Sequence, residues 1–123
     1  MMLQVIDQDL TVCKLPQGSP VDLSLPFVFV GKTDHELSVV LPTASVPSGT
    51  LAREDGWRAF RFAGTLDFSL IGILSAVASL LAAHGISIFA VSTYDTDTIL
   101  IRKERFHEAM DILRAAGYTI ESI

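Results

Sequence analysis

The stretch GTLDFSLIGILSAVASLLAAHGISIFAVSTYDTD, from Gly64 to Asp97, reads as a tight loop, an amphipathic helix, a glycine stop, a strand and an acidic turn. Leu70, Ile73, Leu74, Val77, Leu80 and Leu81 recur at the i, i+3, i+4, i+7 spacing, which predicts a helix over Leu70–His84. Asp67 or Ser69 stands where a side chain caps the first helical amides. Gly85 stands where a helix ends in the left-handed region. Ile86–Thr93 is apolar on both faces and predicts a strand covered on each side. Asp95–Asp97 make a turn, and Thr98–Arg102 is the next strand.

Working downstream, Phe106, Ala109, Met110 and Leu113 form the apolar stripe of a second helix, Lys103–Ala116. Gly117 stops it, and Tyr118–Ile123 is a closing strand. Upstream, Trp57–Ala63 is a strand with Phe60 and Phe62 on one face. The order from Trp57 is β-α-β-β-α-β, the ferredoxin-like plan. Both helices are expected on one face of a four-stranded antiparallel sheet. The other face is still apolar, so the first part of the chain or a second copy has to cover it.

The first part reads as strands and loops. Leu10–Leu15 is a strand, Phe27–Gly31 a buried strand and Glu36–Leu41 a third. Proline- and glycine-rich loops lie between and after them, residues 1–9 carry little pattern, and no long helix fits before residue 65. The fold class is therefore α+β: a ferredoxin-like βαββαβ domain at 57–123 with a β-rich N-terminal half-lobe, 1–56, packed on it.

Composition limits the function. The 123 residues are 50% hydrophobic with mean hydropathy +0.45 and net charge −5. That much apolar content favours a face hidden against a partner, and a homodimer is expected. The most apolar stretch, Leu66–Ala83, is interrupted by Asp67, Ser69, Gly72, Ser75 and Ser79, so no membrane span is expected. The basic residues are scattered apart from Arg102, Lys103 and Arg105, which argues against nucleic acid. The start of the chain has no leader pattern, and the single Cys13 has no partner for an internal disulfide. These features point to a cytoplasmic protein, with Cys13 a buried, inert thiol or else a reactive thiol or an intermolecular bridge.

Two places offer chemistry. Free amides and the positive end of the dipole at the first helix favour an anion such as an α-carboxylate. Gly72 stands in the first turn by this reading. It permits close approach by a ligand, or it serves tight helix–sheet packing. Asp95 and Asp97 can hold an amino group or a cationic side chain, or bond their own backbone as ordinary turn residues. Tyr94 and Phe68 can wall a ligand or form the edge of a core. His35, His84 and His107 show no metal-ligand spacing with one another or with Cys13. No nucleophile–base constellation, Walker loop or dinucleotide fingerprint is present, so no catalytic residue and no cofactor is expected.

From Glu54 onward, EDGWRAFRFAGTLDFSLIGIL, HGISIFAVSTYDTD and the closing RAAGY resemble the ACT domain, a βαββαβ module that senses amino acids. The resemblance is to the branch of small stand-alone bacterial ACT proteins and the cytosolic arginine sensors of animals. LTVCKLP and FVFVGKTDHELSVVLP fit that branch too, so it extends over about the whole chain, and residues 1–56 become a degenerate ACT-like lobe. It implies an effector pocket at an interface between ACT-type lobes. Asp67, Phe68, Ser69, Leu70, Ile71, Gly72 and Ile73 would form one side of it. Ser92, Thr93, Tyr94, Asp95 and Asp97 would form the other, with Asp97 at an acidic position of the arginine sensors. No attached catalytic domain is expected, unlike many ACT domains that regulate an enzyme in cis. The expected function is a non-catalytic amino-acid sensor. The alternative is a ligand-free module that docks another protein through an apolar sheet face.

Overall fold

The structure, a computed structural model, describes residues 1–64 and 72–123. The elements are β1 (Met2–Leu15), β2 (Phe29–Lys32), β3 (Leu37–Pro42), a short 3-10 turn at Thr43–Ser45, β4 (Ala52–Phe62), α1 (Ile73–Ala83), β5 (Phe89–Ser92), β6 (Asp97–Arg102), α2 (Lys103–Ala115) and β7 (Thr119–Ser122). The chain divides into two compact units. One comprises Met1–Asp7 with Arg58–Ile123, the other Gln8–Trp57.

In the first unit the strand order is β7-β1-β4-β6-β5. The element order from β4 onward is the β-α-β-β-α-β expected. The sheet differs from the four-stranded antiparallel one, because the start of β1 lies between β7 and β4. Met2–Val5 pair in parallel with Thr119–Ser122. Residues 1–9 thus hold a central strand, not patternless chain. Leu3 and Val5 alternate inward on either side of Gln4, and the polar Asp7-Gln8-Asp9 that follows disguises the continuity with Leu10–Leu15.

Leu3 and Val5, Phe60 and Phe62, and Ile99 and Ile101 are alternate residues of three strands, so each pair faces one side of the sheet. All six join a single core with Val77 and Leu81 of α1 and Ala109, Met110 and Leu113 of α2. Both helices therefore cover the same face. α1 begins at Ile73 in the described residues, later than the expected Leu70. Gly72 is its N-cap with φ 85°, not part of its first turn. At its other end Gly85 has φ 72°, a conformation that disfavours any residue with a Cβ. The amides of Gly85 and Ile86 bond the carbonyls of Ala82 (2.9 Å) and Leu81 (3.0 Å), the paired closure of a Schellman end. The same pair of bonds ends α2, from Gly117 to Arg114 and from Tyr118 to Leu113. Arg105 of α2 ties the helices together. It donates to the carbonyls of His84 and Gly85 at 3.2 and 3.4 Å and grips Glu108 at 2.8 and 3.2 Å.

β5 is shorter and more exposed than its apolar sequence implies. It is the sheet edge, and Phe89 is 37% exposed. Continuous apolarity signals a strand covered on both faces only when that strand is central.

In the second unit the strand order is β2-β3-β1-β4. β1 and β3 pair antiparallel from Leu10↔Pro42 to Leu15↔Leu37. Phe27–Gly31, expected as a buried strand, becomes the edge strand β2, with Val30 45% exposed. β4 starts at Ala52, within a stretch that its glycine and charges made loop-like. Cys13 is buried among Leu15, Leu37, Val39 and Leu41, and burial pushes its thiol pKa up against the opposing pull of Arg53.

One polar cluster fixes this unit. The fully buried Thr11 hydroxyl donates to Asp55 Oδ1 at 2.7 Å, and its single proton is then committed. Thr43 Oγ1 lies 2.9 Å from Thr11 Oγ1. The Arg53 guanidinium holds Asp55 from both of its oxygens at 3.0 and 3.3 Å. The hydrogen bond from Arg53, then that from Thr11, lowers the Asp55 pKa below its ordinary value, with desolvation opposing. A depressed carboxylate contributes stability above its unfolded pKa and loses it as the pH falls through the folded value. Acidification below about pH 4 is thus expected to weaken the fold. Asp55→Asn should flatten that acid limb in thermal melts recorded across pH; an unchanged limb would remove Asp55 from the account.

Candidate functional site

β5 and β6 pair antiparallel, with Ser92 opposite Asp97, and Thr93–Thr96 form the loop that joins them. The loop holds its own shape. Thr93 donates to the Thr96 carbonyl twice, from its amide at 2.9 Å and its hydroxyl at 3.0 Å. Ser92 Oγ donates to Asp97 Oδ1 at 2.6 Å. One oxygen of Asp97 therefore serves the hairpin, as the turn-residue reading anticipates. Thr96 Oγ1 donates to the carbonyl of Phe62 at 3.1 Å, which docks the hairpin tip on the last residue of β4.

Beside that contact lies a groove of about 250 Å³ lined by Gln4, Arg61, Phe62, Gly64, Asp95 and Thr96. It carries both signs of charge, with the Arg61 guanidinium and the Asp95 carboxylate in one wall set. Arg61 Nε donates to Gln4 Oε1 at 3.0 Å, and Gln4 Nε2 donates to Glu121 Oε1 at 2.8 Å. The arginine is thereby fixed across the sheet rather than left to sweep through solvent. A groove with a positioned cation and an exposed carboxylate suits a small zwitterion better than a purely apolar molecule.

The sequence-predicted residues distribute unevenly around it. Asp95 lines the groove. Ser92, Thr93 and Asp97 build the hairpin that presents Asp95. Tyr94 is 80% exposed at the tip and is not among the residues that line the groove. Gly72 and Ile73 stand at the start of α1 and do not line the groove. Asp67, Phe68, Ser69, Leu70 and Ile71 lie outside the described residues, as does the expected capping by Asp67 or Ser69.

Among the described residues a Cβ at Gly72 would meet nothing within 4 Å, so none of them packs tightly against it. Its positive φ is what selects glycine. It supplies no side-chain cap to the helical amides that follow.

Gln4 and Arg61 escaped the sequence reading. The available signal was alternation. Arg61 stands between Phe60 and Phe62, and Gln4 between Leu3 and Val5, so each had to face away from the core. Among the described residues no group of three His, Cys, Asp or Glu side chains converges on a metal position, and no helix is long and apolar enough to cross a membrane.

A family model described as the ACT domain matches residues 52–115, more than half of the chain. The rat and mouse proteins named cytosolic arginine sensor for mTORC1 subunit 1 are 29% and 30% identical over 104 residues. Those alignments cover 79% of this chain and 31% of the relatives, so the chain spans less than a third of their length. A crystal structure of a protein from Agrobacterium tumefaciens matches with TM-score 0.86 and 30% identity, covering 99% of this chain and 92% of that one. Aspartokinase alpha and beta subunits share the fold at TM-score 0.63 and 15% identity, over 93% of this chain and 91% of theirs. A matched family model over the C-terminal part, an α+β fold shared with these structures and a hairpin docked beside a charged groove agree with one another: the chain belongs to the ACT domain family.

Proposed function

We propose that the protein is a non-catalytic sensor of an amino acid, working in the cytoplasm as a homodimer in which ACT-type lobes enclose the ligand. Its domain at 57–123 is read as a ferredoxin-like βαββαβ module widened by one strand, and 1–56 as a degenerate ACT-like lobe. The observation that carries the reading is the docking of the Thr93–Thr96 loop on the end of β4 by the Thr96–Phe62 hydrogen bond. Asp95 and Arg61 line one groove there, together with Gly64 at the end of the described chain before α1. The curated relatives named as arginine sensors support an amino acid as the ligand class. Asp95 and Asp97 would take the amino group or a cationic side chain, and the start of α1, at Gly72 and Ile73, the carboxylate.

The docking-module alternative requires an exposed apolar sheet face. Ala59 and Leu100 alternate with the core residues of β4 and β6 and are themselves fully buried, so these two positions offer no exposed apolar surface for it.

The test is thermal unfolding against the twenty amino acids at millimolar concentration. A ligand at 100 times its Kd stabilises by about 2.7 kcal/mol, and one or two amino acids should shift the melt selectively. Asp97→Ala should abolish that shift while keeping a cooperative melt. A flat panel would sink the sensor reading, and a shift retained in the variant would sink the role of Asp97.

A further inference from the structure

The second unit holds a cavity that the sensor reading does not use. Leu15 of β1 and Val39 and Leu41 of β3 form its floor, on the same sheet face as Cys13 and Leu37. Val21, Leu25 and Val28 cover part of that face from the segment between β1 and β2. They leave about 280 Å³ open, walled by Pro20, Val21 and Pro47 and edged by Asp22 and Ser45. A second hollow of about 230 Å³ adjoins it through Leu15, Pro20 and Pro47.

The covering segment cannot easily collapse to fill this space. Pro16, Pro20 and Pro26 each fix φ. Ser19 bonds the Pro16 carbonyl through both its amide (3.1 Å) and its hydroxyl (2.6 Å). Ser24 bonds Asp22 Oδ1 through its amide (3.0 Å) and hydroxyl (2.5 Å). A preformed apolar hollow with few placed polar groups is the usual build of a small-molecule site, and this one falls just below the usual size range, which suits a very small ligand. Its charge is one-sided. Among the described residues Asp22 is the single charged one in the lining, and no Lys, Arg or His of them lines either hollow. Both Ser24 bonds fall on Oδ1, and neither uses Oδ2.

We propose that this cavity binds a small aliphatic ammonium of about four or five carbons, its branched chain on Leu15, Val39 and Leu41 and its charged head on Asp22. The site is separate from the charged groove of the first unit, and its occupancy does not depend on amino-acid sensing. A carboxylate of the same shape is excluded, because it would set a second anion beside Asp22.

The experiment is a titration of the full chain followed by ¹⁵N–¹H correlation spectra. The probes are 3-methylbutylammonium and 3-methylbutanoate, which share a body and differ in the sign of the head. The ammonium should give saturable shifts at Leu15, Val39 and Leu41, leaving Ser92–Asp97 unmoved, and the carboxylate should give none. Asp22→Asn keeps an oxygen for both Ser24 bonds and so preserves the turn. It should weaken the ammonium at least tenfold with an unchanged melting temperature. Val39→Phe should occlude the cavity and remove the shifts. Equal binding of both probes, no saturation, or full affinity in Asp22→Asn would each overturn the assignment.

Discussion

A chain reduced to residues 57–123 is expected to lose cooperative folding as a monomer. The boundary suggested by sequence, between 56 and 57, leaves out Met2–Val5, and in the structure that segment separates β7 from β4. Two losses follow. Leu3 and Val5 leave a core in which Leu3 is wholly buried. At about 1.5–3 kcal/mol for each side chain, the pair is worth about 3–6 kcal/mol, against a total stability of about 5–15 kcal/mol for a typical domain. β7 also loses its parallel partner. The Thr119 amide no longer meets the Met1 carbonyl, nor the Ile123 amide the Val5 carbonyl. Thermal melts by circular dichroism should broaden to a non-cooperative slope. Adding residues 1–7 as a peptide should restore part of the transition. A sharp melt from 57–123 alone would show that β7 can move beside β4 and close the four-stranded sheet first expected, making β1 dispensable.

What was legible in the sequence was local. The helices announced themselves through Val77, Leu81, Ala109, Met110 and Leu113, because a 3.6-residue period survives any tertiary context. Their C-terminal ends were equally plain, since Gly85 and Gly117 stand where the closing bonds require them. Sheet position was not legible. FVFVG and ISIFAVST are as apolar as central strands, yet β2 and β5 are edges. Strand order depends on long-range pairing, which a pattern of period two does not encode. MLQVI failed in the opposite direction, a central strand too short in its alternation to be seen. The site divided along the same line. STYDTD was recognisable as a turn, whereas Gln4 and Arg61 reach the groove only because β1 and β4 share a sheet.

That difference between centre and edge has a measurable consequence in two phenylalanines of similar sequence context. Phe60→Ala is expected to destabilise by about 3–5 kcal/mol, the cost of a large cavity in a packed core. Phe60 is fully buried on β4 among Leu3, Ile99 and the two helices. In a chain of this size that lowers the melting temperature by about 10 °C or more. Phe89→Ala, on the exposed edge strand, should cost about 1 kcal/mol or less. The comparison also bears on assembly. In a dimer that covered β5, Phe89 would be buried between copies, and its substitution would lower stability in a manner that depends on protein concentration. Melts of both variants over a hundredfold concentration range separate the cases. A small, concentration-independent effect at Phe89 leaves β5 outside any homodimer interface and directs the search to another face. A large, concentration-dependent one would mean that the doubly apolar pattern of ISIFAVST records a cover supplied by the second copy.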